Sequence, residues 1–280
     1  MRDGFVETNG IRLHYLEHEG DGPTLLLTHG LSANAHSLDV LAAHLAPALR
    51  VVVLDLRGRG ESDRPETYSM ADHAADVLGV LDAFGLERIP LGGHSFGGLL
   101  TLYIAANSPT RVEKALVLDV PGEVDPAVLD QIGPSLARLD QVYPSTQAFL
   151  EFARALPYFA GGTWSAELAA WYETELEEAP GGGVRSNLRP QHIRKCVEAT
   201  FDPDWADLHR RIECPTLLVR SVEPFGPPGS PPILTAEGAA RTLGRLRNGS
   251  LAEVPGNHIT FVFGDNATRT AEAMLDFTLG

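Results

Sequence analysis

The chain has 280 residues and a formal net charge of −15, with 37 acidic and 22 basic residues. Hydrophobic residues make up 44% of it, which is enough to bury a sizeable core and excludes wholesale disorder. The acidic balance opposes contact with phosphate groups, so neither nucleic acid nor a membrane surface is expected as a partner. No apolar run of about 18 residues and no secretory signal is recognised. Cys196 and Cys214 fit no disulfide framework or metal motif, so we expect reduced thiols in a cytoplasmic protein.

The predicted elements alternate between short apolar strands and longer helical patterns, which is typical of a mostly parallel sheet covered by helices. An opening hairpin is predicted over residues 5–17, with Asn9-Gly10 as its turn. Strands are predicted at residues 24–28, 51–54, 89–92, 114–118, 215–220 and 250–254. Helices are expected at about 37–46, 69–84, 96–108, 235–245 and 265–278.

Residues 122–212 interrupt this alternation. They contain all three tryptophans, and glycine-rich breaks at 161–162 and 180–183 separate several helical patterns. We therefore predict a helical lid inserted into an α/β core that is formed by residues 1–121 and 213–280. Residues 224–232 (PFGPPGSPP) are predicted to form a loop, because their prolines exclude a helix or a paired central strand.

The strongest chemical signal is the pentapeptide Gly-x-Ser-x-Gly at residues 93–97. It lies between a predicted strand and a predicted helix, where the two glycines permit a sharp turn. Such a turn would expose the Ser95 hydroxyl at the carboxyl edge of the sheet, so Ser95 is the candidate nucleophile. A phosphate-binding loop is the alternative, but neither G-x-G-x-x-G nor a P-loop lysine is present.

A serine hydroxyl needs a neighbouring base to become a nucleophile. Of the ten histidines, His258 lies in the loop between the last predicted strand and the last predicted helix, at the same edge as Ser95. His258 is therefore the candidate general base, and His94 is assigned to packing. The amide of Phe96 and that of Leu31, in the loop after strand 24–28, are the candidate oxyanion donors.

These motifs, in this order, resemble those of the α/β-hydrolase superfamily. The resemblance rests on His29-Gly30, on the residues 55–62 (DLRGRGES), on the serine motif and on Pro255-Gly256-Asn257-His258. It implies an eight-stranded sheet, a lid after the sixth strand and a catalytic order of serine, acid and histidine. It also implies a structural, non-catalytic role for residues 57–62. The tail from residue 256 resembles that of polyketide-type thioesterases more weakly.

The catalytic acid has two candidates. Most members of the superfamily carry it after the strand that corresponds to residues 215–220, where this chain has only Glu223, one position early. A subset that includes the thioesterases carries it after the preceding strand, where this chain has Asp119. Asp119 is preferred, because Glu223 directly precedes a proline in a Pro- and Gly-rich loop.

The resemblance and the motifs together predict a serine hydrolase that cleaves a carboxylic ester of an apolar small molecule through an acyl-enzyme. Neither a metal nor an organic cofactor is required, and a monomer or homodimer is expected. Thioester hydrolysis, carbon–carbon bond hydrolysis and cofactor-free peroxidation remain open, as does a low-turnover receptor. Haloalkane and epoxide chemistry is disfavoured, because those relatives need aspartate where Ser95 stands.

Overall fold

The computed structural model describes residues 1–124, 126, 128–160 and 162–280. Asp125, Ala127 and Gly161, which belong to the expected insertion, lie outside these described residues. The strands are β1 (Arg2–Thr8), β2 (Ile11–His18), β3 (Thr24–Thr28), β4 (Arg50–Leu54), β5 (Ile89–His94), β6 (Val112–Leu118), β7 (Val142–Tyr143), β8 (Leu176–Glu178), β9 (Val184–Ser186), β10 (Thr216–Ser221) and β11 (Gly249–Val254). The helices are α1 (Asp39–Leu45), α2 (Met70–Ala83), α3 (Phe96–Asn107), α4 (Val128–Ala137), α5 (Thr146–Arg154), α6 (Ala166–Thr174), α7 (Pro190–Ala199), α8 (Trp205–Arg211), α9 (Ala236–Leu243) and α10 (Gly264–Leu279).

Eight strands form the main sheet in the order β1-β2-β4-β3-β5-β6-β10-β11. The pairs from β4 to β11 are parallel, whereas β1 and β2 pair antiparallel and β2 pairs antiparallel with β4. Asn9 and Gly10 both have positive φ, 50° and 75°, as a two-residue hairpin turn of the type I′ class requires. The predicted α/β-hydrolase fold with a mostly parallel eight-stranded sheet is confirmed.

The central strands of this sheet are apolar on both faces, and each face packs into its own cluster, whereas the edge strands β1 and β11 are largely exposed. In β3, Leu25 and Leu27 belong to one cluster and Leu26 to the other, because successive side chains point to opposite faces. The predicted strands and helices of the core agree with the observed ones to within two residues at each end, except that the hairpin begins at Arg2, three residues before its predicted start. Among the described residues, no helix has both the length and the apolar character needed to cross a membrane.

The segment from residue 122 to 212, called the insertion below, contains α4 to α8 and a separate antiparallel sheet in the order β7-β9-β8. Short strands therefore accompany the helices that were predicted for this segment. The missed strands are two or three residues long, too short for an alternating pattern to be visible in the sequence. Gly181, Gly182 and Gly183, with φ of 95°, 102° and 80°, connect β8 to β9.

Candidate active site

Ser95 occupies the turn between β5 and α3 with φ of 54° and ψ of −116°. Positive φ is strained for a residue that carries a Cβ, and such strain is typical of nucleophile turns. The flanking glycines are needed for space. A Cβ on Gly93 would lie 2.3 Å from the backbone of Gly97, and one on Gly97 would lie 2.3 Å from the carbonyl oxygen of Thr28. This close approach of strand and helix holds the Ser95 hydroxyl at the carboxyl end of β5.

His258 lies in the loop between β11 and α10, and its ring bridges Ser95 and Asp119. Its Nε2 is 3.0 Å from Ser95 Oγ, and its Nδ1 is 2.7 Å from Asp119 Oδ2. The Asp119 carboxylate accepts the Nδ1–H, which leaves Nε2 free to accept the proton of the serine hydroxyl. Asn257 shapes the loop, because its Oδ1 accepts hydrogen bonds from the amides of Ile259 and Thr260, each at 3.0 Å.

Asp119 is fully buried at the carboxyl end of β6. Its second oxygen, Oδ1, accepts a hydrogen bond of 2.8 Å from the amide of Ser221 at the end of β10. The other candidate acid, Glu223, is exposed, and its Oε1 is 3.3 Å from the amide of Gly256. The structure therefore brings Asp119, and not Glu223, into contact with His258.

The two candidate oxyanion residues lie beside Ser95. A Cβ on Gly30 would be only 3.5 Å from Ser95 Cβ, so the loop that carries Leu31 runs directly along the serine. Within the described residues, no backbone oxygen accepts a hydrogen bond from the amide of Leu31 or from that of Phe96. Both N–H groups are thus free to donate to an oxygen of a bound molecule.

A chamber of about 940 Å³, including its solvent-open mouth, lies above Ser95. The core contributes its floor, and the insertion contributes most of the opposite wall. The insertion side is predominantly apolar and includes Val128, Leu129, Ile132, Leu136, Trp171, Tyr172 and Val197. Phe225, from the proline-rich loop, also lines the chamber and packs edge-on against His258, with ring centroids 5.1 Å apart.

One ion pair is buried in the chamber wall. The Arg138 guanidinium makes hydrogen bonds of 2.8–3.0 Å to both carboxylate oxygens of Glu175, and both side chains are essentially inaccessible to solvent. Burial alone would lower the pKa of Arg138, but the attraction of Glu175 outweighs it and raises that pKa, so the guanidinium stays charged. A further bond from Arg138 to the carbonyl of Ser32, at 2.5 Å, ties the insertion to the core.

Two histidines beside the site are held neutral by burial. Burial lowers the pKa of His29 to about 4, and among the described residues its ring hydrogen-bonds backbone atoms alone, at Gly30 O and Leu56 N. Burial and the nearby His258 lower the pKa of His94 well below its usual value. The His94 ring packs against that of His258 with centroids 4.6 Å apart, as a packing role implies.

Away from Ser95, the described residues include one cluster of side chains of the types that bind metal ions. Asp3, His14 and Glu61 each present an atom within 4.8 Å of the other two. His14 already bonds Asp55 and Asp3, at 2.7 and 3.0 Å. Burial opposes protonation of His14, but these two carboxylates outweigh it and raise its pKa. These hydrogen bonds occupy both ring nitrogens of His14, so neither is free to bind a metal ion, and none of the three residues touches Ser95.

Sequence reasoning missed Phe225, Arg138 and Arg59 as residues around the site. Their positions depend on contacts between distant parts of the chain, for which a single sequence contains no local pattern. Arg59 lies in the loop that was assigned a structural role, and it is fully buried against the residues of the oxyanion loop.

A family model described as alpha/beta hydrolase fold matches residues 23–207. Epoxide hydrolase 4 of Mus musculus is 35% identical over 120 residues, which is 41% of this chain but only 33% of that relative. The 2-(acetamidomethylene)succinate hydrolase of Mesorhizobium japonicum is 29% identical over 222 residues, 77% of this chain and 76% of that protein.

A solved structure of E-2-(acetamidomethylene)succinate hydrolase superimposes with a TM-score of 0.85. The superposition covers 100% of this chain and 99% of the other at 21% sequence identity, and thus supports the same fold. The family match spans more than half of the chain and includes the serine turn and Asp119. The chain therefore belongs to the α/β-hydrolase fold family and is a hydrolase.

Proposed function

We propose that this protein hydrolyses carboxylic esters of apolar small molecules by acyl transfer to Ser95. The observation that carries the proposal is the continuous hydrogen-bonded chain from Ser95 Oγ through His258 to Asp119, at 3.0 and 2.7 Å. Its members come from three separate loops at one sheet edge, and two free backbone amides flank the serine. A nucleophile, a base, an orienting acid and oxyanion donors are the complete set of groups that acyl transfer needs.

The reaction follows from this arrangement. Ser95 Oγ attacks the ester carbonyl while His258 Nε2 takes the hydroxyl proton, and Asp119 stabilises the resulting imidazolium. The carbonyl oxygen, now negative, accepts hydrogen bonds from the amides of Leu31 and Phe96. His258 then returns the proton to the departing alcohol. Water attacks the acyl-enzyme by the same route in reverse and releases the acid and free Ser95.

The chamber favours a neutral, apolar acyl or alcohol group. Its wall in the insertion is lined mainly by aliphatic and aromatic side chains. The only cation that lines it within the described residues is Arg138, whose charge is already balanced by Glu175. On this basis we assign to the insertion the role of a substrate-selecting lid over the core, and a neutral small molecule is the proposed partner.

The apolar lining of the chamber can be compared with the substrate that one relative's name describes. The name of 2-(acetamidomethylene)succinate hydrolase describes a dicarboxylate substrate, whose two charges would need cationic partners. Because Arg138 is balanced by Glu175, we propose a different substrate class for this chain. The epoxide hydrolase relative is matched over a third of its length. The proposal does not extend to epoxide opening, because a serine stands at the nucleophile position of this chain.

The test is multiple-turnover hydrolysis of p-nitrophenyl esters from acetate to octanoate, with Ser95→Ala as the matched variant. Turnover should fall by about 10⁴-fold or more in Ser95→Ala. An organophosphonate should label Ser95 and no other residue, as seen by peptide mass spectrometry. A stoichiometric burst without turnover would contradict the enzyme and support a receptor, and selective hydrolysis of thioesters or of carbon–carbon bonds would reassign the substrate.

A further inference from the structure

Arg59, in the loop between β4 and α2, is among the largest side chains with no solvent exposure at all. Its Nε donates to the carbonyl oxygen of Leu31 at 3.2 Å, and its Nη1 donates to that of Arg57 at 2.8 Å. The same Nη1 is 3.2 Å from Nε2 of His73. His73 donates from Nδ1 to the carbonyl of Ser69, so its Nε2 is the accepting atom.

All these partners are neutral. Burial and the neighbouring arginines hold the pKa of His73 well below its usual value, so its ring carries no charge. Within the described part of the chain, no carboxylate oxygen bonds Arg59, and no nitrogen or oxygen atom accepts a hydrogen bond from its Nη2; the nearby Cys196 side chain is a thiol whose pKa is raised by burial. With zero accessible surface, the side chain also has no room for a water molecule or a small anion beside it.

The other buried arginines are different. Arg57, two residues earlier, donates to both carboxylate oxygens of Asp76 at 2.6 and 2.7 Å, and Arg138 pairs with Glu175 in the same way. An isolated charge in a protein interior is strongly unfavourable, which is why buried charges are normally paired. A buried charge without a counter-charge destabilises the folded protein, so a contribution to folding stability does not explain why Arg59 is buried there.

The position of Arg59 offers that explanation, because the guanidinium contacts both candidate oxyanion residues. It holds the carbonyl of Leu31, and its central carbon is 5.4 Å from the centroid of the Phe96 ring. These are the two residues whose amides are free beside Ser95. One buried cation thus contacts both of the residues whose amides are the candidate donors to the negative oxygen that acyl transfer creates.

We propose that Arg59 is a positioning residue of the oxyanion hole, and that its missing counter-charge is supplied by the oxyanion itself. This inference rests on the proposed attack of Ser95 on a carbonyl. The hydrogen bond to Leu31 fixes the backbone that carries one donor, while the buried charge attracts the developing negative charge through a water-free medium. A neutral substrate carbonyl gains little from this charge, so Arg59 should act on kcat more than on KM.

Two variants separate charge from hydrogen bonding. Arg59→Gln keeps a hydrogen-bond donor for the Leu31 carbonyl but removes the charge. Arg59→Lys keeps the charge but removes the planar guanidinium group with its several donors. The probes are a hexyl trifluoromethyl ketone and the matching hexyl methyl ketone. Ser95 Oγ adds to the carbonyl carbon of the trifluoromethyl ketone, and the hydroxyl proton passes to His258. The product is a tetrahedral oxyanion. The methyl ketone binds largely without this addition.

In Arg59→Gln, affinity for the trifluoromethyl ketone and kcat should both fall by about tenfold or more, with methyl ketone affinity and KM within about threefold of the parent. In Arg59→Lys, all four quantities should stay within about threefold. Equal losses for both ketones in Arg59→Gln would overturn the proposal. Should Arg59→Gln not fold, Arg59→Met, which also removes the charge, takes its place: a selective loss of trifluoromethyl ketone affinity would support the proposal, and equal losses or no loss for the two ketones would overturn it.

The double variant Arg57→Gln/Asp76→Asn is the matched control, because it neutralises the adjacent buried pair and leaves Arg59 in place. Its ketone affinities should stay within about threefold of the parent. A selective loss of trifluoromethyl ketone affinity in this control would assign the effect to the loop in general and overturn the role of Arg59. Adduct formation on Ser95 does not depend on which bond the enzyme cleaves. If the protein does not turn over esters but still forms an Arg59-dependent adduct with the trifluoromethyl ketone, that result contradicts the proposed ester substrate and leaves the role of Arg59 intact.

Discussion

The two sides of the chamber are built on different principles. The floor, formed by core residues around Ser95, owes its shape to backbone geometry: strained turns, glycines without space for a Cβ, and loops at the ends of parallel strands. The roof, formed by the insertion, owes its shape to side chains, namely packed aromatic rings and the buried Arg138–Glu175 pair. The difference suggests that chemistry resides in the floor and substrate choice in the roof.

The contrast extends to the buried charges. In the roof, Glu175 balances Arg138 at rest, whereas in the floor Arg59 has no carboxylate partner among the described residues. A balanced pair contributes a rigid wall and no net charge. An unbalanced cation contributes a field that becomes useful only when negative charge appears.

The largest effect is expected in the floor, at the acid. Asp119→Asn should lower kcat for ester hydrolysis by about 10²–10⁴-fold, because an amide cannot hold the His258 tautomer that leaves Nε2 free. Glu223→Gln should change kcat less than twofold, since its carboxylate faces the backbone of Gly256. Steady-state kinetics on folded variants decides between them, and the opposite ranking would move the acid to Glu223.

In the roof, the largest effect should be on stability. Glu175→Gln leaves the Arg138 charge buried without a partner, so the free energy of unfolding should fall by about 3–5 kcal/mol. Glu177→Gln is the matched control in the same insertion. It breaks a partly exposed pair with Arg185 and Arg189 and should cost at most about 1 kcal/mol. Urea denaturation measures both, and equal losses would mean that the buried pair is not special.

The floor should also be sensitive to acid through His29. Its folded-state pKa of about 4 is below the unfolded value of 6.5, so the unfolded chain binds the proton more readily. The stability contributed by the neutral ring is therefore complete above pH 6.5 and is lost as the pH falls toward 4. Between pH 6.5 and 5 the loss should be roughly 1.5 kcal/mol.

His29→Asn tests this expectation, since its side-chain amide can still donate to the carbonyl of Gly30. Urea unfolding at pH 6.5 and pH 5 should show a smaller pH-dependent loss in the variant than in the parent. An identical loss in both proteins would mean that other groups dominate acid sensitivity.

The smallest effect is expected on substrate choice in the roof. Trp171 lines the chamber, and its indole N–H has no partner among the described residues, so Trp171→Leu adds space without breaking a hydrogen bond. The ratio of kcat/KM for octanoate over acetate esters should rise by up to about tenfold. Trp164 packs against Phe159 and Tyr172 instead, and Trp164→Leu should leave the ratio unchanged. Equal shifts in both variants would indicate general loosening of the insertion.

Much of the floor was predictable from the sequence because its signals are local. Short predicted strands of four to six residues, the glycines around Ser95 and the loop position of His258 each depend on a few consecutive residues. The edge rule for parallel strands then brings the loops together without further information. The sequence could not decide between Asp119 and Glu223 as the acid, because both loops lie at the same edge of the sheet. A difference of one residue in the position of a carboxylate within its loop is enough to decide whether it reaches the His258 imidazole.

The sequence by itself thus determined the fold class, the succession of strands and helices in the core, and the nucleophile and base candidates. Only the tertiary structure decided which acid contacts His258, that short strands accompany the helices of the insertion, and that Arg138 and Arg59 are buried. Charged side chains are expected at the surface from sequence, and their burial depends on partners more than a hundred residues away, such as Arg138 with Ser32, or on loops that meet only in the fold, such as Arg59 with Leu31. Local patterns encode elements, but pairing between distant elements is a property of the assembled chain.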